Sequence, residues 1–362
     1  MKNTFGSSIT VTLFGESHGE YIGAVLDGLA AGIRIDCDNI RLRLSQRRPA
    51  GKISTARVEA DEFSIVSGAI NGYTTGAPLC ILIPNTNTRS KDYESLRDTP
   101  RPGHADYTAM CKYGGFQDVR GGGHFSGRLT AALVAAGAVL ESALEAKGIF
   151  IGSHISELHG CFDRGFEELG ADIAALKTRE FPTLGAPEKM IAEIEKAAAM
   201  GDSVGGILES AVIGIPAGVG EPWFDSMESV LSHALFSIPG VKGVEFGLGF
   251  AFADVYGSEG NDPFGIENGS VVTLTNNNGG INGGITSGMP IIFRTAIKPT
   301  PSIFKAQQSV RLSEMSECTL KLEGRHDPAI IHRARAVVDA MVAISVADML
   351  TVKFGTDYLK NA

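Results

Sequence analysis

Hydrophobic and polar positions alternate in many short segments of this chain, and this pattern predicts a fold rich in strands. Segments that alternate with a period of two, or that are rich in β-branched residues, are typical of strands. They cover residues 8–14, 22–27, 63–70, 79–84, 149–158, 207–215, 244–255, 271–275 and 290–297.

Fewer segments carry the start and stop signals of helices. Such signals predict helices over residues 39–47, 127–147, 187–201 and 328–354. Asp38 and Ser126 are the predicted N-caps of the first two helices, and Asp327 is the predicted N-cap of the last. Asp225, followed three residues later by Glu228, predicts a capping box and one more helix start.

The predicted strands follow one another in runs instead of alternating strictly with helices. This order favours the α+β class with largely antiparallel sheets over a doubly wound parallel fold. No Gly/Ser linker, charge run or internal repeat marks a boundary. Residues 1–362 are therefore predicted to form a single domain.

Composition and charge narrow the classes of ligand and location. The chain has 45 glycines among 362 residues and a net charge of −9. Abundant glycine suits tight turns and close backbone approach to a ligand. The acidic balance argues against nonspecific binding of nucleic acid or of an anionic membrane, so a bound anion must meet a local cluster of arginines.

The remaining composition signals predict a cytoplasmic protein without a metal site. The apolar run over residues 131–140 is too short to span a membrane, and the N-terminus lacks a secretory signal. The five cysteines contain no CxxC pair, so neither a disulfide framework nor a zinc site is expected.

Residues 15–19, Gly-Glu-Ser-His-Gly, follow a predicted strand and contain Ser17 and His18. They formally match G-x-S-x-G, the nucleophile elbow of α/β-hydrolases. That motif joins a strand to a helix within a parallel sheet, whereas this segment leads into another predicted strand. A serine hydrolase is thus disfavoured, and a turn with a satisfied histidine is the alternative without a function.

Two loops carry glycine together with arginine and histidine. In residues 101–106, a Pro-Gly turn places Arg101 and His104 on a loop, where ligand contacts are common, although a solvated histidine is the alternative. In residues 120–128, three glycines precede a predicted helix N-terminus, which favours an anion. The alternative is a flexible loop in which Ser126 caps the helix.

Taken in order, these and later motifs resemble the chorismate synthase family. The resemblance extends from residue 5 to about residue 352. It rests on GESHG at 15–19, RRPAG at 47–51, RPGHADY at 101–107, KYGGFQDVRGGG at 112–123, SIPGVKGVEFG at 237–247, GGINGGITSG at 279–288, AIKPT at 296–300 and GRHDP at 324–328.

The resemblance implies a lyase of the shikimate pathway, which leads to the aromatic amino acids. The family converts 5-enolpyruvylshikimate 3-phosphate to chorismate by trans-1,4 elimination of phosphate. It requires reduced FMN although the reaction has no net redox change. The resemblance leaves open whether this chain reduces the flavin with NADPH or whether an external flavin reductase is its partner. The implied architecture is a β-α-β sandwich in a cytoplasmic homotetramer. A noncatalytic relative that binds flavin or anions is the alternative.

The resemblance also implies roles for individual residues. His18 would protonate the reduced flavin, His104 would protonate the leaving phosphate, and Asp327 would assist deprotonation near flavin N5. Ser17 and Ser126 complete the expected catalytic set. The expected FMN contacts are His124, Phe125, Ser126, Pro239, Gly240, Gly283, Lys298, Pro299, Thr300, Pro301, Ser302, Arg325 and Arg47. The expected substrate cations are Arg48, Lys52, Arg101 and Arg128, and Arg120 is one further cation in these motifs.

The chain departs from the family pattern next to the glycine run. The family commonly has arginine where His124 stands and glutamate where Leu129 stands. The first departure removes a fixed cation from the expected FMN site. The second removes the acidic partner of a capping box that begins at Ser126.

Overall fold

The structure is a computed structural model, and it describes residues 2–49, 53–54, 60–86, 97–322 and 327–360. In chain order the strands are β1 (Thr4–Phe5), β2 (Thr10–Gly15), β3 (Tyr21–Asp27), β4 (Ser64–Ser67), β5 (Ala69–Ile70), β6 (Tyr73–Thr74), β7 (Leu79–Pro84), β8 (Phe150–Leu158), β9 (Cys161–Phe162), β10 (Gly206–Ile213), β11 (Val241–Phe246), β12 (Phe264–Glu267), β13 (Ser270–Thr273), β14 (Ile281–Asn282), β15 (Ile285–Thr286), β16 (Ile291–Ile297), β17 (Gln307–Arg311) and β18 (Ser316–Leu320). The α helices are α1 (Cys37–Arg47), α2 (Asp106–Tyr113), α3 (Thr130–Glu145), α4 (Leu169–Leu176), α5 (Glu188–Ala199), α6 (Met227–Phe236), α7 (Gly257–Gly260) and α8 (Ile331–Phe354).

Two five-stranded antiparallel sheets form the outer layers of the fold. The strand order is β1-β2-β3-β7-β4 in the first sheet and β11-β16-β10-β8-β9 in the second. In β7, buried Leu79, Ile81 and Ile83 alternate with less buried residues, which is the period-two pattern of a strand with one face on the core.

Helices fill the space between the sheets. Helix α3 packs on β3 and β7 of the first sheet, α8 packs on β8 and β10 of the second, and the two helices contact each other. They cross closely at Gly137, where a Cβ atom would lie 2.4 Å from the Cβ of Ala340. Only glycine permits this approach. The layers confirm the predicted α+β class with largely antiparallel sheets.

Two predicted helix caps are wrong by one or two residues. Helix α1 is capped by Asp36, which adopts an extended backbone and accepts from the N–H groups of Asp38 and Asn39. Helix α6 is capped by Ser226, which accepts from the N–H of Ser229 at 3.1 Å. Asp225 instead ends a 3₁₀ turn, so its side chain cannot take the cap position.

The strand predicted over residues 244–255 is wrong beyond Phe246. There the carboxylate of Glu245 accepts from the N–H of Phe250 at 3.0 Å, which folds the chain back on itself. Gly249–Asp254 is consequently a 3₁₀ helix. A local contact thus ends a segment whose hydrophobic pattern alone suggests a longer strand.

The segment Gly127–Glu145 is apolar and long enough to span a membrane by composition, more so than the sequence pattern indicated. Almost all of it is buried between the two sheets, so it is a core helix. Ser126 caps its first turn as predicted, accepting from the N–H of Arg128. Leu129 is 2% exposed, so the position at which the resemblance suggests glutamate is part of the core.

Candidate active site

Three consecutive glycines bring two histidines that are distant in sequence against one backbone turn. Gly121, Gly122 and Gly123 have φ values of 60°, 82° and 52°, a left-handed run that favours glycine. A Cβ on Gly121 would lie 2.6 Å from Nε2 of His18, and one on Gly122 would lie 3.5 Å from Cε1 of His104. The fold therefore joins the segments at 15–19 and 101–106 at this turn.

His18 is held in a nearly closed environment against the turn. His18 is 8% exposed, and the preceding Ser17 is fully buried. The N–H of Ser17 donates to the carbonyl of Gly123 at 3.1 Å, which fixes the segment to the glycine turn. The Oγ of Ser17 has no hydrogen-bond partner within the described residues, so it is able to bond a ligand.

His104, against the same turn, is tied to a carboxylate that sequence analysis did not assign. Its Nδ1 lies 2.7 Å from Oδ1 of Asp106. Arg101 donates to the same carboxylate from Nε and Nη2, each at 2.8 Å. Burial raises the pKa of Asp106, but these bonds from Arg101 and His104 outweigh it and hold the pKa far below its usual range. The sequence did contain a clue to this contact, because Asp106 stands only two residues after His104.

A second unassigned carboxylate, Asp61, lies between two of the predicted cations. It is buried and forms ion pairs with Arg128 and, at 3.5 Å, with Arg47. Arg128 also donates from Nε to Asn85 at 3.0 Å and from Nη2 to the carbonyl of Pro84 at 3.2 Å. No motif marks Asp61, and only the fold reveals its partners.

Asp327 lines the cavity but does not cap α8. The helix begins at Ile331, after Ile330, whereas the carboxylate of Asp327 accepts from Nη1 of Arg333 at 2.6 Å. Nε of Arg333 donates to the carbonyl of Arg47 at 2.8 Å. The ion pair therefore takes the carboxylate that capping would have used, and it connects Asp327 to the cation-bearing end of α1.

The 298–302 segment forms another wall. Nζ of Lys298 donates to the carbonyl of Gly103 at 2.5 Å, and Oγ of Ser302 accepts from Nη1 of Arg101 at 3.3 Å. Partial burial, followed by the nearby charge of Lys242, lowers the pKa of Lys298. The hydroxyl of Thr300 is buried and has no hydrogen-bond partner within the described residues.

One cavity of about 1530 Å³ lies among these residues, although the predicted Ser17 and the newly found Asp106 do not line it. Of the predicted site, it brings together His18, Arg47, Arg48, Arg101, His104, His124, Phe125, Ser126, Arg128, Pro239, Gly240, Lys298, Pro299, Thr300, Pro301, Ser302 and Asp327. Lys2, Lys242, Lys321 and Arg333 add further cations to its wall. An acidic protein thus concentrates positive charge in one place, as recognition of an anion requires.

Some predicted residues lie elsewhere. Gly283 is in the turn between β14 and β15 and does not line the cavity. Arg120 also lies outside, where its guanidinium pairs with Asp118 at 2.8 Å. Lys52 and Arg325 are outside the described residues.

The two aromatic residues that follow the glycine turn take different positions. His124 has Nδ1 2.8 Å from the carbonyl of Gly15, so Nδ1 donates and the ring braces the start of the 15–19 segment. Phe125 is 36% exposed and makes an edge contact with Tyr113. His124, which stands where the resemblance suggests arginine, therefore contributes to the wall of the site.

Comparisons with known proteins agree with this geometry. The sequence model of the chorismate synthase family matches residues 9–351. Chorismate synthase of Thermococcus gammatolerans is 48% identical over 347 residues, covering 95% of this chain and 96% of that protein. Chorismate synthase of Dehalococcoides mccartyi strain BAV1 is 45% identical over 352 residues, covering 96% of both.

A solved structure extends the likeness to the fold. A crystal structure of chorismate synthase superposes with a TM-score of 0.74 at 28% sequence identity, and the match covers 98% of this chain and 94% of the other. Sequence and structure thus agree over nearly the whole length, and the chain belongs to the chorismate synthase family.

Proposed function

We propose that the cavity is the site at which this chain eliminates phosphate from 5-enolpyruvylshikimate 3-phosphate to form chorismate. Membership of the chorismate synthase family makes the chain a carbon–oxygen lyase. The comparisons give no support to a noncatalytic relative. The observation that carries the assignment to this cavity is the pair His18 and His104, which lie against neighbouring glycines of one turn within a basic cavity.

The substrate's phosphate and two carboxylates need fixed cations. Arg48 and Arg101 line the cavity, and Arg48 has no carboxylate partner among the residues that the structure describes. Arginine suits this task because its fork binds carboxylate or phosphate through two hydrogen bonds. We assign these two residues to substrate anions and retain Lys52, beyond the described residues, as a candidate. Arg128, tied to Asp61 and Asn85, holds the wall in shape.

Proton transfers fall to the two histidines and Asp327. A histidine titrates near neutrality and is a suitable donor to a leaving phosphate, which is the role proposed for His104. His18 would hold a proton beside the neighbouring glycine of the turn. Asp327, which accepts a hydrogen bond from Arg333, would assist removal of the ring proton.

The described residues fit FMN. The cavity has room for a flavin and a substrate together, and the buried hydroxyl of Thr300 lacks a partner that a phosphate oxygen would supply. Lys298 and Ser302 flank Thr300, and Arg47, His124, Phe125, Pro239 and Gly240 complete the proposed contacts. When bound, reduced FMN supplies electron density to the breaking carbon–oxygen bond.

We further propose that residues 1–362 act as one domain in a cytoplasmic homotetramer. A single cluster of buried apolar residues extends across both sheets. Phe264, Ile266 and Val271 on the β12–β13 hairpin are 64–72% exposed, an apolar face that association of copies would cover. A flavin reductase activity, either of this chain with NADPH or of an external partner, would keep FMN reduced.

An anaerobic assay with chemically reduced FMN and 5-enolpyruvylshikimate 3-phosphate tests the proposal without a reductase. Chorismate should form, and His18→Ala and His104→Ala should each lower kcat by about 10²-fold or more while melting temperatures hold. His159→Ala is the matched control, because His159 is an exposed histidine paired with Glu193. Absence of chorismate with the unaltered chain would overturn the function, and equal kcat in all three variants would overturn the site.

A further inference from the structure

We propose that Asp106 is a positioning residue that keeps the Nδ1 atom of His104 protonated, so that Nε2 is the atom that exchanges protons in the cavity. The inference rests on the proposed function, in which His104 is a proton donor. It starts from the hydrogen bonds of one carboxylate, which satisfies two side chains of the same loop.

The contacts of Asp106 determine which nitrogen of His104 carries the proton. Oδ2 accepts from the backbone N–H of Arg101 at 3.0 Å and from its Nε at 2.8 Å. Oδ1 accepts from Nη2 of Arg101 at 2.8 Å and lies 2.7 Å from Nδ1 of His104. An ionised carboxylate only accepts, so Nδ1 must donate. The 3.0 Å approach of Arg101 Nη2 to Nδ1 is therefore that of two donors sharing one oxygen.

The carboxylate itself is held firmly. Asp106 is the first residue of α2, where the helix dipole favours negative charge. Its bonds to the backbone and guanidinium of Arg101 close a loop of six residues around the Pro-Gly turn. The side chains of Arg101 and Asp106 are only 9% and 14% exposed, so water competes weakly for these bonds.

The opposite edge of the His104 ring faces the glycine turn. A Cβ at Gly122 would lie 3.5 Å from Cε1 and 3.7 Å from Nε2 of His104. A tautomer with its proton on Nδ1 leaves Nε2 on this edge to bind and release the second proton. Asp106 thus plays the part that a buried carboxylate plays behind a catalytic histidine in hydrolases.

Among the charged groups near the ring of His104, Asp106 is the anion in contact with it. From its own loop the ring faces the cation of Arg101 and the anion of Asp106. From the neighbouring wall comes Lys298, whose Nζ bonds the carbonyl of Gly103, and His18 lies against the same glycine turn. Arg101 and Lys298 are thus the cations near the ring, and Asp106 is the anion in contact with it. Without the carboxylate, the protonated form of His104 would lose its stabilising partner.

Nitrogen NMR of histidine-labelled protein measures the tautomer directly, with His104→Gln to assign the signal. In the unaltered chain, neutral His104 should carry its proton on Nδ1. In Asp106→Asn the Nε2-protonated form should appear, kcat should fall at least about 10-fold, and the limb of the pH–rate profile that requires a protonated donor should move to lower pH. Asp172→Asn is the matched control, because Asp172 also binds an arginine through both oxygens but no histidine.

The outcomes separate this inference from the proposed function. If NMR of the unaltered chain shows neutral His104 protonated on Nε2, the role of Asp106 is overturned. This measurement does not depend on any variant folding. An unchanged His104 tautomer in folded Asp106→Asn overturns it as well. A changed tautomer with unchanged kcat and pH profile supports the positioning by Asp106 and overturns the proton-donor role of His104 in the proposed function.

Discussion

Gly121→Ala should disable the active site more than it destabilises the protein. Alanine at φ 60° costs about 1–2 kcal/mol of folding free energy, because its Cβ crowds the backbone in the left-handed region. The new Cβ would also lie 2.6 Å from Cδ2 and Nε2 of His18 and 2.9 Å from Oγ of Ser17. Ordinary contact begins at 3.4 Å, so the ring must move by 3.4 − 2.6 = 0.8 Å.

That displacement sets the expected loss of activity. His18 is 8% exposed, so its ring cannot swing freely into solvent. A misplacement of about 1 Å at a reacting group can lower the rate about 10²-fold. This corresponds to about 2.7 kcal/mol in the activation free energy. We therefore expect kcat to fall about 10²-fold while the free energy of unfolding falls by only about 1–2 kcal/mol.

Two matched substitutions isolate the contact with His18. Gly115→Ala has the same type of backbone penalty at φ 84° but meets no atom within 4 Å, and Gly122→Ala at φ 82° meets His104 only at 3.5 Å, an ordinary contact. Urea unfolding should give similar losses for all three variants, and anaerobic turnover per folded molecule should fall strongly only in Gly121→Ala. If Gly121→Ala turns over as fast as Gly115→Ala, the reasoning about His18 is refuted.

Four further predictions follow from buried groups and from linkage. Asp61→Asn should lower the unfolding free energy by about 3–5 kcal/mol in urea titrations, because it leaves two buried arginines without their shared anion. Asp348→Asn should lower the unfolding free energy by about 3 kcal/mol and speed amide exchange at residues 7–9, because the Asp348 carboxylate accepts hydrogen bonds from their N–H groups at 2.7–2.9 Å. Burial, followed by the charge of Arg333, lowers the pKa of His332 to about 3. As the pH falls through about 6.5, the unfolded chain therefore binds a proton at His332 that the folded chain does not bind. The unfolding free energy should fall by about 2 kcal/mol from pH 7.5 to pH 5 in the unaltered chain but not in His332→Gln. Finally, calorimetry should show FMN and substrate tightening each other's binding by the same factor, and independent affinities would contradict their sharing one cavity.

Local patterns predicted the elements where one face of the chain meets the core. Strand β7 has the predicted bounds because its buried residues alternate without interruption. The caps of α1 and α6 could not be placed from sequence, because Asp36 and Asp38, or Asp225 and Ser226, are equally suitable residue types. Which member caps depends on backbone angles that the preceding chain imposes.

For the site, sequence motifs predicted which histidines to examine but not what fixes them. His18 and His104 stand in loops with marked composition, and the fold places both on the cavity. Asp61 stands in no motif, and its arginine partners come from α1 and from the turn before α3, so only tertiary structure pairs them. Gly283 is the opposite of Asp61, because it stands in a recognisable motif but does not line the cavity.

The carboxylates explain how so many cations share one cavity before an anion arrives. Like charges held close together in a cavity repel one another, and fixed anions among them reduce that repulsion. Asp61 joins Arg47 to Arg128, and Asp106 grips Arg101 through both oxygens. These arginines therefore have part of their hydrogen-bonding capacity already committed, and for Arg47 and Arg101 the remainder is available to a ligand. Cations with no carboxylate partner among the described residues, such as Arg48, keep their charge for the ligand, so loss of Arg48 should weaken substrate binding while leaving the fold intact.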